Sequence, residues 1–115
     1  MGDLLVKREY SKGVIINTLA ESSYIKWIEP FVMTVLEKSG IRYKETIIDS
    51  MEGGKRIFLL IDGIEYTIRT WNFEVTKNDL NNRPCAAMID YTLFKEVNGE
   101  NHYKEIFEGF EEVEL

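Results

Sequence analysis

The spacing of apolar residues changes period along the chain, and it predicts two short strands, then one helix, then a longer series of strands. Residues 4–10 and 14–17 have the apolar and β-branched content of strands around a turn, although residues 14–27 are also compatible with helix. Apolar residues recur at helical spacing over residues 24–36, and Gly40 supplies a stop signal. After this glycine the pattern becomes strand-like.

Two features refine the predicted helix. Thr18 and Glu21 have the spacing of a capping box, in which the threonine caps the first turn and the glutamate reaches back to it. Pro30 lies inside the helical pattern, where a proline lacks the N–H group and its ring clashes with the preceding turn. We therefore expect either a kink at Pro30 or two short helices, the second of which begins at Pro30.

The remainder of the chain has the pattern of successive hairpins. The predicted strands of this part cover residues 41–49, 56–61, 64–71, 85–97 and 102–108. Asp62-Gly63 and Asn98-Gly99 are hairpin turn signals, and residues 72–84 have the composition of a polar connection. We predict an α+β fold in which one principal, Pro-kinked helix packs across an antiparallel sheet of about five strands.

Charge narrows the choice of partners. The chain has 115 residues and a net charge of −6, a size and composition typical of a single globular domain over residues 1–115. Residues 1–56 carry nine basic and eight acidic side chains, whereas residues 57–115 carry five and twelve. The acidic half repels a phosphate backbone, which argues against direct nucleic-acid binding. It is compatible with a basic protein surface as partner, and equally with solubility alone.

Catalytic and metal-binding chemistry has little support in this sequence. Cys85 is the single cysteine and His102 the single histidine, so no internal disulfide and no thiolate or multi-histidine metal site is expected. A buried cysteine and a surface histidine account for both residues. Paired strands that brought Cys85 and His102 together would instead make a nucleophile and its base. We predict no catalytic residue, no metal and no cofactor.

Membrane insertion is not expected either. The longest uninterrupted apolar run covers residues 57–61, which is too short to span a bilayer. The amino-terminal residues do not follow the basic-then-apolar order of a secretion signal. A cytoplasmic protein without membrane contact is the simplest expectation.

The carboxyl-terminal residues combine negative charge with aromatic rings. We expect a strand through about Glu108, because Asn98-Gly99 favours a hairpin, and then an irregular acidic end. With two rings near the end of the central hairpin, this segment supplies the predicted partner-binding residues: Trp71, Phe73, Glu108, Phe110, Glu111, Glu112 and Glu114. Rings that close the core and a merely solvated acidic end remain the alternative interpretations.

These observations favour a binding protein over an enzyme. The hypothesis is a small acidic module that inhibits a partner stoichiometrically by occluding a basic site, with Trp71 or Phe110 as the buried anchor. An immunity protein that neutralises a toxin, or a phage or mobile-element protein that blocks a host defence, would act in this way. One alternative is a ligand-binding or enzymatic domain with a pocket between helix and sheet, near Cys85 and His102. Another is an oligomeric assembly subunit.

Overall fold

The computed structural model describes residues 5–10, 14–19, 26–52, 55–99 and 102–115. In chain order its elements are β1 (Leu5–Glu9), β2 (Ile15–Leu19), α1 (Ile28–Ser39), β3 (Glu45–Glu52), β4 (Arg56–Ile61), β5 (Ile64–Asn78), β6 (Pro84–Val97) and β7 (His102–Glu114). A sheet-dominated combination of helix and mainly antiparallel strands is therefore confirmed. The prediction of about five strands was too low, because the described residues form seven.

The strands form one sheet whose spatial order follows the chain order from β1 to β7. All neighbours are antiparallel except β2 and β3, which are parallel. A parallel pair needs a crossover connection, and α1 lies in that connection. Asp62 and Gly63 join β4 to β5 and have φ angles of 48° and 82°, as a type I′ hairpin turn requires.

Helix α1 begins later than its apolar pattern. The capping-box prediction is wrong, because Thr18 lies in β2 with its side chain buried; Glu21 lies outside the described residues. Pro30 is the third residue of α1, a position whose N–H would have no acceptor within the helix, so the proline gives no cause for a kink. The expected kink is thus corrected to a proline in the first turn of α1. The alternative of two short helices has its second helix within two residues of the observed start, and its first helix would fall largely outside the described residues. Gly40 ends it with a φ of 76°, as predicted.

One face of the sheet packs against the helix. The helix contributes five buried apolar residues, which are Ile28, Phe31, Val32, Val35 and Leu36. Alternate residues of β6 meet this face: Ile89, Tyr91 and Leu93 are fully buried, and the Phe31 and Tyr91 rings lie edge to face at 5.3 Å. We call the sheet side that carries Tyr91 the inner face and the opposite side the outer face. No described helix covers the outer face.

Strand β5 continues well past the end of β4. Arg56, the first residue of β4, pairs with Arg69, so β5 from Trp71 onward pairs with β6 alone. The predicted polar connection over residues 72–84 is wrong, since β5 runs to Asn78. This part of β5 is exposed and is held mainly by its ladder to β6. Phe73 and Val75 alternate with polar residues, but this apolar stripe is short and is followed by polar residues, so it did not mark a strand.

The turn between β5 and β6 occupies residues 79–83 and is ordered by one side chain. Asp79 Oδ1 accepts the backbone N–H groups of Asn81 at 2.8 Å and Arg83 at 3.0 Å. Strand β7 likewise extends to Glu114, so the expected irregular end after Glu108 is wrong. The acidic segment is the edge strand of the sheet and has a fixed register against β6.

Candidate partner-binding surface

Strand alternation separates the predicted carboxyl-terminal residues onto two faces. Glu108, Phe110, Glu112 and Glu114 occupy alternate positions of β7 and lie on the outer face. Glu111 lies on the inner face with Val113, which belongs to the core. The predicted acidic cluster is therefore divided, and its five residues cannot all meet one partner surface.

Glu111 takes part in holding β7 to the helix. One of its carboxylate oxygens lies 2.6 Å from Lys38 Nζ of α1 and accepts a hydrogen bond from the Tyr91 hydroxyl at 3.3 Å. Its side chain is only 12% exposed. Burial, and then the neighbouring Glu111 carboxylate, raise the pKa of the Tyr91 phenol well above its ordinary value. These contacts give Glu111 a structural role.

Gly109 allows β7 to lie close to the Tyr91 ring. A Cβ atom built on Gly109 would come within 3.0 Å of the Tyr91 hydroxyl oxygen and 3.3 Å of a Phe107 ring carbon. Both rings lie on the inner face, with centroids 6.2 Å apart. The glycine is thus explained by close packing within a strand.

Phe110 is the most exposed aromatic side chain on β7, at 63%. Asp90 of β6 is its register partner, and Glu108 and Glu112 flank it two positions away on the same face. The Cβ atoms of these three neighbours lie within about 5–7 Å of the Phe110 Cβ. We call Asp90, Glu108, Phe110, Glu112 and Glu114 the acidic face: a solvent-facing ring surrounded by carboxylates.

Two carboxylates of the acidic face, Asp90 and Glu112, accept hydrogen bonds that do not neutralise them. Asn72 donates a hydrogen bond to Asp90 at 2.8 Å, and Thr76 donates one to Glu112 at 3.2 Å. Both donors are neutral. No carboxylate of the acidic face forms a salt bridge with a residue in the described part of the chain. Its negative charge is therefore directed at solvent or at a partner.

Trp71 and Phe73 lie elsewhere, at the free edge of β5. Trp71 is the extra residue of a β-bulge between Thr70 and Asn72, and it is 58% exposed. The Phe73 ring lies 6.2 Å from the ring of Trp27, the buried residue that precedes α1, and is itself 49% exposed. These three aromatic residues line a groove of about 940 Å³ together with Met51. The Trp71 and Phe73 rings are therefore only partly buried, and they cover this end of the core incompletely.

Cys85 and His102 are at opposite ends of the β6–β7 ladder. Cys85 is the second residue of β6, and its backbone carbonyl accepts the N–H of Leu115 at 3.0 Å, whereas His102 pairs with Val97 at the other end. Twelve strand positions separate Cys85 from Val97, a distance on the order of 40 Å. The two side chains cannot act as a nucleophile and its base.

No group of three or more metal-ligating side chains occurs within the described ranges. Within the described ranges α1 is the single helix, and its 12 residues are too few to cross a bilayer.

Sequence reasoning did not identify Asp90, Asn72 or Thr76 as part of this surface. These residues reach the acidic face only through the register of β5 against β6. Asn72 pairs with Asp90, and Thr76 is the bulge residue between two β5 residues that pair with β6. The alternation of Glu108, Phe110, Glu112 and Glu114 was the available signal, and a strand assignment through Glu114 would have used it.

The chain was compared with protein-family models, with curated proteins and with solved structures, and none of them matches it.

Proposed function

We propose that this protein is a binding module whose acidic face docks on a basic, partly apolar surface of another protein. The observation that carries the proposal is Phe110, a ring 63% exposed to solvent among carboxylates that form no salt bridge with any described residue. A large exposed ring adds nothing to the stability of the isolated chain. In an interface it buries much area at a small entropic cost.

The geometry favours a protein partner with arginine or lysine side chains around an apolar depression. Phe110 would enter the depression, while Glu108 and Glu112 meet the cations around its rim. Their position on an edge strand paired with β6 fixes their spacing before binding, which limits the entropy lost on association. Long-range attraction between the opposite charges would speed the encounter at low ionic strength.

Neither a nucleic acid nor a second copy of the chain suits this surface. A phosphate backbone would be repelled by uncompensated carboxylates. Pairing of two β7 edges would bring together two strands that each carry five glutamates, Glu105, Glu108, Glu111, Glu112 and Glu114. Such charge is a known protection of exposed strand edges against self-association. We therefore expect light scattering to give the mass of a monomer.

Stoichiometric inhibition is the form of binding that we favour. A flat sheet face can cover a basic active or substrate-binding site and exclude its ligand sterically, without any chemistry of its own. A toxin held by an immunity protein and a host defence nuclease held by a mobile-element protein are two targets of this kind. The excess of acidic residues in the second half of the chain supports both.

Site-specific photo-crosslinking tests the proposal. Phe110 is replaced by p-benzoylphenylalanine, and Leu80, a fully exposed residue of the β5–β6 turn, is replaced in the control. In an extract of the cells that encode the protein, the probe at position 110 should give one adduct that the probe at position 80 does not. The captured protein, once purified, should bind the parent chain 1:1 and lose affinity with rising salt. Equal adducts from both positions, or salt-independent binding, would refute the acidic face as the site.

A further inference from the structure

The outer face carries a second feature, distinct from the acidic face, that contains two arginines. A shallow cleft of about 220 Å³ lies across β4, β5 and β6 and reaches β7. Its lining residues are two arginines, three aromatic residues and one threonine: Arg56, Arg69, Phe58, Phe94, Tyr103 and Thr67. The proposed protein-binding function does not use this cleft.

The two arginines are placed against each other, and neither forms a salt bridge within the described part of the chain. Arg56 and Arg69 are direct register partners on β4 and β5. Glu52 of β3 is the register partner of Arg56 on the other side of β4. Even so, no salt bridge joins either arginine to a described residue. Like charges directly opposite each other destabilise an antiparallel pair. Arg8, by contrast, lies 2.9 Å from the Glu29 carboxylate, so this chain does neutralise an arginine where one has a structural role.

A polar atom below the cleft also lacks a partner. The side chain of Thr67 is 8% exposed, and its hydroxyl oxygen is buried without a hydrogen bond. Buried hydroxyl groups in folded proteins usually have a hydrogen-bond partner, and an unpartnered one is energetically unfavourable. The cleft thus combines two guanidinium groups that form no salt bridge with a described residue and, beneath them, one hydroxyl without a partner.

The rest of the cleft is apolar and the size of one aromatic ring. Phe58 of β4 and Thr67 of β5 are register partners, and Thr67 also pairs with Phe94 of β6. Phe58 and Phe94 are half-buried, and Tyr103 of β7 is 43% exposed. Planar faces of this kind stack on aromatic rings and guanidinium groups.

We propose that this cleft binds a ring-sized aromatic group that bears a carboxylate or a phosphate. The anionic head lies between the Arg56 and Arg69 guanidinium groups, which hold planar anions by paired hydrogen bonds. The ring of the ligand stacks on Phe58 and Phe94. A hydrogen bond from the Thr67 hydroxyl to the ligand would require a local rearrangement of the cleft, because its oxygen is buried in the unliganded arrangement.

Titration of the ¹⁵N-labelled full chain with small probes tests this site directly. Phenyl phosphate and phenylacetate supply the ring with each head group, inorganic phosphate supplies the anion alone, and benzyl alcohol supplies the ring alone. At least one anionic aromatic probe should give saturable amide shifts around Thr67 and Arg69, at least tenfold tighter than the anion or the ring alone. Binding of one anionic probe but not the other would support the site and identify its head group. Absence of saturable shifts there, or equal affinity for benzyl alcohol, would overturn the proposal.

Variants of the same labelled chain distinguish the cleft from its surroundings. Arg69→Gln should weaken binding of the anionic aromatic probe at least tenfold, and Thr67→Val should weaken it by a smaller factor. Lys77→Gln, which removes an exposed cation of β5 outside the cleft, should leave it unchanged. A dispersed spectrum for each variant shows that it is folded. Parent-like affinity in Arg69→Gln would overturn the proposal. No protein partner is present, so the outcome is independent of the proposed role of Phe110.

Discussion

The two sides of β7 carry the same kind of residue with opposite consequences. Glu111 and Glu112 are neighbours in the chain, but Glu111 lies on the inner face, where Lys38 neutralises it and Tyr91 donates a hydrogen bond to it. Glu112 lies on the outer face, where a neutral hydroxyl, that of Thr76, donates to it. Negative charge alone therefore does not define a binding surface. Strand alternation decides which carboxylates stabilise the fold and which remain available to a partner.

The largest expected difference in the free energy of unfolding comes from placing a new charge on each side of β7. Val113→Asp buries a carboxylate in the core, where Val113 is 8% exposed, and should lower the free energy of unfolding by about 3 kcal/mol. Phe110→Lys, at a residue 63% exposed whose register partner is Asp90, should change it by no more than about 1 kcal/mol, because the new cation meets carboxylates at an exposed position. Urea denaturation followed by tryptophan fluorescence measures both. Equal losses would contradict the assignment of the two faces.

A smaller difference in the free energy of unfolding is expected between variants of the neighbouring residues Glu111 and Glu112. Glu111→Gln removes the charge that Lys38 meets at 2.6 Å and should lower the free energy of unfolding by about 1–2 kcal/mol. Glu112→Gln should change it by less than about 0.5 kcal/mol, because an exposed carboxylate bonded to a neutral hydroxyl contributes little. The same urea experiment compares the variants. A loss in Glu112→Gln as large as that in Glu111→Gln would remove the distinction between them.

Close packing on the inner side can be tested at Gly109. Gly109→Ala places a methyl group 3.0 Å from the Tyr91 hydroxyl oxygen, and Tyr91 is fully buried and bonded to Glu111. The strain should lower the free energy of unfolding by about 1 kcal/mol. Combining Gly109→Ala with Tyr91→Phe should recover part of this loss, because the contacting oxygen is then absent. An unchanged stability of Gly109→Ala would mean that the Tyr91 ring moves aside freely.

The contacts of Tyr91 on the inner face also predict that the stability of the fold depends on pH in the alkaline range. Burial and the Glu111 carboxylate raise the pKa of Tyr91, so the folded chain keeps a phenol proton that the unfolded chain releases above about pH 10. Because the unfolded state then binds fewer protons, stability should fall as pH rises beyond that value. Tyr91→Phe should make this fall shallower, and Tyr103→Phe, at an exposed tyrosine, should alter it less. Urea denaturation between pH 8 and 11 measures the slopes. Identical slopes for the parent and Tyr91→Phe would contradict the assignment.

The sequence was informative where burial and local backbone geometry act together. Asp62-Gly63 marked a hairpin because few residue pairs adopt two positive φ angles at low cost. Gly40 marked the end of α1 for a similar reason. The apolar face of α1 was visible because all of it is buried against one sheet.

The sequence was misleading where strands are stabilised by pairing more than by burial. Residues 72–78 and 109–114 are rich in polar side chains, and cross-strand hydrogen bonds to β6 hold them in place. Thr18 was assigned to a helix cap because its spacing to Glu21 is local, whereas its burial in β2 depends on a distant strand. The acidic face combines both difficulties, since it exists only in the correct register of β6 and β7.

The most direct test of the proposed function is the affinity of the captured partner for two variants that each lose one exposed apolar side chain. Phe110→Ala removes the ring of the acidic face, and Leu80→Ala removes a side chain of the β5–β6 turn. Isothermal titration calorimetry should show Phe110→Ala binding at least tenfold more weakly than the parent chain, and Leu80→Ala binding as the parent does. Equal affinities of the two variants would contradict the account.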